Sequence, residues 1–206
     1  MSTSTGTSTG TGTGTRDRIV DASAQLFRRQ GYSATGVKQI VTASQAPFGS
    51  VYHFFPGGKE QLGAEAIRHS GALYLELIPA VFDFAPDVVT GTRDFFAGAA
   101  AHLEGTGYAD ACPIATIALE VSSSSEPLRA ACAEVFESWI AAGSRRFEDA
   151  GIAPERAREV TIALIAALEG AFVLARAQRT TKPLAIAGAV AAAAVQAAVD
   201  EATGAG

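Results

Sequence analysis

The chain has 206 residues, 48% of them apolar, and a formal net charge of −5. That length and apolar content suit one or two domains with a substantial core, and the acidic balance excludes a general basic coat for nucleic acid. The charge is unevenly spread: residues 16–68 carry seven Lys/Arg against four Asp/Glu, net about +3, and the remainder nine against seventeen, net about −8. A mildly basic N-terminal part on an acidic body is compatible with one local phosphate-contacting surface. Cys112 and Cys132 are the only cysteines and no signal-peptide hydrophobic core follows the start, so a reducing cytoplasm is expected. His53, His69 and His102 have no ligand-like spacing with each other or with the cysteines, so neither a metal nor a cofactor is expected.

Met1 to Thr15 is Ser/Thr/Gly with no apolar residue after Met1. Such a stretch cannot offset its own ordering entropy and is expected to be a disordered tail. Arg16 to Gln30 is predicted as the first helix, with Ile19, Val20, Ala22, Leu26 and Phe27 as a broad apolar stripe and Gly31 as its left-handed stop. Arg16, Arg18, Arg28 and Arg29 lie near its ends as solvated charges, with Arg16 and Arg18 the two that can also meet phosphate. Val37, Ile40 and Val41 stand at i, i+3 and i+4, which predicts a short second helix with Thr35 as its cap. Ser44, Gln45 and Ala46 make a turn, and Pro47 suits the first position of a third helix ending near Phe54. That helix is too short to stand alone, and Val51 with the Phe54-Phe55 pair would anchor it. Its other face, Pro47, Phe48, Gly49, Ser50 and His53, has little that needs burial. A short helix with a free outer face is what a helix-turn-helix inserts into the DNA major groove.

Pro56-Gly57-Gly58 turns the chain, and Lys59-Glu60 opens a helix to about Ile78. Lys59 sits where the helix dipole disfavours a cation, which points to a phosphate arriving there. Pro79 and Pro86 interrupt the pattern from Ala80 to Asp87. Further helices are expected over Val88–Glu104, Cys112–Val121, Glu126–Ala150 with Ser125 as cap, Glu155–Arg179 and Pro183–Ala202. The fold class is therefore all-α, with about nine helices: three in a helix-turn-helix DNA-binding domain over 16–60 and six in a body over 61–206. Pro183 to Val199 lacks charge over nearly a membrane span, but its alanines fit close helix packing better, and no membrane association is expected. The last two helices are apolar on more than one face. Ile165, Leu168, Phe172, Val190, Ala191 and Val195 are the candidates for an isologous four-helix homodimer interface.

Particular residues carry a family resemblance: Ala34-Thr35, Gly49-Ser50-Val51-Tyr52-His53, Phe55-Pro56-Gly57-Gly58-Lys59-Glu60-Gln61-Leu62, and later Cys112-Pro113-Ile114-Ala115. The segment resembles the TetR-type transcriptional repressors, and more closely their lincomycin-resistance-repressor-like subgroup. The resemblance implies a DNA-binding head, a ligand-sensing helical body, a homodimer on double-stranded operator DNA, and release when a small hydrophobic effector binds. It places Thr35, Tyr52, His53 and Lys59 at positions that commonly hold the DNA backbone. Lys38 is a further phosphate candidate, Gly49 lets the backbone approach the duplex, and Ser50 can meet a base edge or a phosphate. Three residues depart from the pattern. Phe48 stands where relatives often have Lys or Arg, so it cannot make a bidentate guanine contact but could touch a thymine methyl; Gln45 replaces the usual turn glycine, and Phe54 replaces a common polar aromatic or histidine.

In the body, Tyr74, Phe82, Phe95, Phe96, Phe136 and Trp139 either fill a core or line an effector pocket, with His102 or Glu120 as polar points. The resemblance is the reason to read a pocket, and its subgroup suggests a flat aromatic effector. Two other classes stay open: an architectural DNA-binding protein without an effector, and an all-α small-molecule-binding protein. Catalysis is not expected, because the sequence has no serine elbow, glycine-rich phosphate loop or suitably spaced Cys/His pair.

Overall fold

Ten helices and no strand occur among the described residues, 14–110 and 112–204 of this computed structural model. The expected tail lies outside them except for Gly14 and Thr15, and Thr15 already belongs to the first helix. In chain order the helices are α1 (Thr15–Gln30), α2 (Val37–Ser44), α3 (Ser50–Phe54), α4 (Gly58–Leu75), α5 (Leu77–Phe82), α6 (Val88–Gly105), α7 (Pro113–Val121), α8 (Glu126–Asp149), α9 (Pro154–Gln178) and α10 (Lys182–Gly204).

The all-α expectation holds, with one helix more than the sequence pattern suggests. That helix is α5, which contains Pro79 rather than being broken by it. Proline is tolerated in a first turn because the amide it lacks has no partner there. Helix starts follow local chemistry. Ser125 accepts the Leu128 amide at 3.4 Å as expected, Asp87 accepts that of Thr90 at 2.7 Å, and the Cys112 sulfur accepts that of Ala115 at 3.4 Å. Thr35, by contrast, does not cap α2. The cap position is Gly36, whose amide donates to the Gln39 side chain at 2.8 Å.

Two apolar clusters organise the packing. The first joins α1, α2 and α3 to α4, α7 and the first half of α8 through Ile19, Phe27, Ile40, Val51, Phe55, Leu62, Ile67, Ile114, Ile117 and Leu128. The second joins α6, the end of α8, α9 and α10 through Phe96, Leu103, Phe147, Val160, Leu184 and Val195. Glycines set two close contacts. A Cβ on Gly71 would lie 2.5 Å from both Val135 methyls, bringing α4 onto α8, and one on Gly188 would lie 2.7 Å from the Phe96 Cβ, bringing α10 onto α6.

Candidate nucleic-acid interface and effector region

The five-residue α3 keeps its shape because its inner side is fully buried: Val51 and Phe55 have no exposed surface. Burial of that kind stabilises by roughly 1.5–3 kcal/mol per side chain, enough to hold a helix that could not form alone. The helix proper begins at Ser50, not Pro47. Residues Pro47 to Gly49 form a tighter lead-in turn, in which the Ser50 amide donates to the Pro47 carbonyl at 2.9 Å. The outward residues remain uncovered: Phe48 is 54% and Tyr52 53% exposed, and Pro47, Gly49, His53 and Lys38 are exposed with them. Ser50 is half-buried, and nothing lies within 4 Å of where a Gly49 Cβ would be. The sequence-predicted set is thus left uncovered on the helix-turn-helix, with two exceptions.

Thr35 is the first exception. It is fully buried, its hydroxyl donates to the Gly31 carbonyl at 2.7 Å, and it receives Gln30 at 3.0 Å. Its side chain is committed to the α1–α2 turn and is out of reach of a duplex. Lys59 is the second. Its ammonium donates to the Tyr32 carbonyl at 2.8 Å and lies 4.1 Å from the centre of the Tyr32 ring. Burial pushes its pKa down, partly offset by the negative charge of Glu120. Arg16 and Arg18 are also engaged, Arg16 with Glu65 and Phe55, and Arg18 with the Ser44 carbonyl and Thr15.

The body's aromatic candidates separate into groups. Tyr74 and Phe136 both face Trp139, with ring centres 6.2 and 5.7 Å apart, and the Trp139 indole donates to the Gly71 carbonyl at 2.9 Å. Phe95 belongs to a different set with Phe82, which also meets Phe147. Two candidates are corrected. Phe96 is core, 2% exposed against α10, and His102 is on the surface. Glu120, offered as a polar point for a pocket, instead accepts the Ser33 amide of the α1–α2 turn at 2.9 Å.

Sequence reasoning missed the polar groups beside the Tyr74–Trp139 pair. Tyr74 lies beside Arg28, and burial raises its pKa against the pull of that positive charge. Arg28 and Arg29 reach the buried Asp110 at 3.1 and 4.0 Å. The Cys112 thiol faces the Glu169 carboxyl, whose pKa is pushed up to about 7 by burial. Isolated Asp and Glu residues carry no periodic signal, so the pattern could not reveal these contacts. A separate open cleft of about 590 Å³, lined by Phe82, Val89, Arg93, Arg146 and Val199 among others, takes in Phe82 but none of the other aromatic candidates.

The outward faces of α9 and α10 are apolar, but shifted from the predicted set. Ala191 and Val195 are buried in the second cluster, which the sequence did not anticipate. Leu168 and Phe172 pack partly against that cluster, and Ile165 is half-buried. Only Val190 is fully outward, at 64% exposed, joined by Ile186, Ile162, Val173 and Leu174. Both helices are long and apolar enough to cross a membrane by length and composition. They also pack on α6, α8 and each other.

The chain matches two family models: the bacterial regulatory proteins of the TetR family over residues 19–66, and the LmrA/YxaF-like transcriptional regulator C-terminal domain over residues 88–190. It is 37% identical to the uncharacterized HTH-type transcriptional regulator YxaF of Bacillus subtilis, covering 82% of this chain and 88% of that protein. It is 33% identical to the HTH-type transcriptional regulator LmrA of the same organism, covering 82% and 90%. It is 26% identical to the HTH-type transcriptional repressor DhaR of a Mycobacterium species, covering 82% and 86%. In fold it resembles the reduced form of E. coli NemR, with a TM-score of 0.76 and 22% identity over 86% of this chain and 94% of that one. These relatives are regulators rather than enzymes, and with an uncovered helix-turn-helix at one end and the LmrA/YxaF-like helices at the other, the chain belongs to the TetR family of transcriptional regulators.

Proposed function

We propose that the protein is a cytoplasmic, ligand-responsive repressor that binds a palindromic operator as a homodimer and is released by a small hydrophobic or aromatic effector. In this reading residues 16–60 contact DNA, and residues 61–206 sense the effector and pair the two copies. The observation that carries it is the side of α2 and α3 where Lys38, Pro47, Phe48, Gly49, Tyr52 and His53 stand free while Val51 and Phe55 hold the helix from behind. Two such helices on a two-fold axis would enter successive major grooves about one helical turn apart. The relative named as a repressor supports the sign of regulation. The effector is assigned to the Tyr74–Phe136–Trp139 group, beside Arg28, Cys112 and Glu169. Flat rings suit the aromatic walls, and the polar groups would orient them.

The test has two parts. Selection of genomic fragments by the purified protein should return a palindrome, and a compound panel should contain aromatic molecules that raise the melting temperature and abolish that binding. Specific DNA binding that no thermally stabilising compound disturbs would instead favour the architectural reading. Absence of any sequence-dependent complex would refute both.

A further inference from the structure

The α1–α2 turn is gripped from two sides by charged groups that belong to neither helix. From the body, Glu120 of α7 accepts the Ser33 amide at 2.9 Å. Its other oxygen presses so closely on Gly31 that a Cβ there would stand 2.0 Å away, and Gly31 also has a φ of +84°. From the start of α4, Lys59 donates to the carbonyl of Tyr32, between those two residues, and lies over its ring. Glu120 and Lys59 are thus drawn to one three-residue turn, close enough to feel each other's charge. An ammonium held against a carbonyl and a ring face, with a carboxylate on the same turn, is not available to a phosphate.

We propose that Glu120 is a positioning residue for DNA binding: from α7 it holds the Ser33 end of the turn and sets beside it a negative charge that favours the Lys59 ammonium at Tyr32, so that Lys59 must leave that turn to reach the duplex. The proposal rests on the DNA-binding reading of Lys59. It does not require any particular effector. Glu120 then lowers the affinity of the head in proportion to the charge it offers, and it does so through one named partner.

The substitution Glu120→Gln keeps an acceptor for the Ser33 amide and removes the charge. Operator affinity should rise about threefold to tenfold at low salt, with a salt dependence steeper by about one counterion. Lys59→Met should weaken binding and flatten that dependence. In the Lys59→Met background, Glu120→Gln should bring almost no gain. An equal gain in both backgrounds would mean simple repulsion between Glu120 and DNA, and would overturn the proposal, as would no gain at all. A second readout needs no DNA. The Lys59 methylene protons, shifted upfield by the Tyr32 ring in the wild type, should move toward ordinary lysine values in Glu120→Gln. Unmoved protons overturn the restraint. A wild type that binds no operator while its protons move as described refutes the regulator reading and leaves the restraint standing.

Discussion

Gln45 holds a backbone conformation that suits glycine better. With φ 51° and ψ 35° it closes α2 in the left-handed region, its amide donating to the Thr42 carbonyl at 3.3 Å while that of Ala46 reaches Val41 at 3.2 Å. A side chain there costs roughly 1 kcal/mol or more that glycine avoids. Gln45→Gly should therefore stabilise the protein by about 0.5–1 kcal/mol in urea unfolding, the gain reduced by glycine's freedom in the unfolded chain. A loss of stability would show that the glutamine side chain contributes more than its backbone strain removes. Glu169 gives a second expectation at this scale. Its ordinary pKa of 4.5 is raised to about 7 by burial beside Cys112, so the folded protein retains a proton that the unfolded chain releases between those values. The stability tied to that proton is complete below pH 4.5 and is lost as pH rises through 7. After discounting for partial exposure the loss is about 1–3 kcal/mol. Glu169→Gln should flatten the fall in melting temperature between pH 5 and 8, and an unchanged slope would assign that fall to other groups.

Among the elements, α4 and α8 show how small residues decide approach. Gly71 lets the Val135 side chain sit where a methyl would otherwise be, and the adjacent carbonyl receives Trp139. Gly71→Ala would push the two helices apart against a close-packed core, costing about 1–3 kcal/mol by chemical denaturation. Because the same contact positions Trp139 against Tyr74, the variant should also weaken binding of the proposed effector. A variant as stable as the wild type would mean the helices have slack that the packing does not suggest. The short α3 illustrates the opposite case: it owes its shape to the two side chains beneath it, and its outer residues are free to be chosen for recognition.

At the level of the whole molecule, the C-terminal helices leave apolar surface that water would not favour in a lone chain. Ile186 and Val190 stand one turn apart on α10, with Ile162, Val173 and Leu174 on α9, and a second copy pairing face to face would cover them. The double substitution Ile186→Glu, Val190→Glu should give a folded monomer in sedimentation. If the proposed homodimer pairs through this face, the variant's apparent affinity for a two-half-site operator should fall about a hundredfold or more as the linkage between heads is lost. A variant that stays dimeric would move the interface elsewhere, and the surface pairs Arg68–Glu134 and Arg158–Glu137 are too exposed to hold one.

The sequence by itself determined most of the helices and the exposed outer side of α3, because both are written in local terms. Apolar residues three and four apart mark α1, α2, α8 and α9, and the Pro47-to-Leu62 stretch carries turn, anchors and exposed face within sixteen consecutive positions. Only the tertiary structure decided what faces what. It put Thr35 and Lys59 on internal partners, sent Glu120 to the head instead of the aromatic group, buried Ala191 and Val195 while leaving Ile186 and Val190 outside, and joined Cys112 to Glu169 across more than fifty residues. Periodicity shows that a helix has an apolar side. When alanine and valine surround the helix, as on α10, the choice of which side turns inward belongs to the neighbours that pack there, α6 and α9.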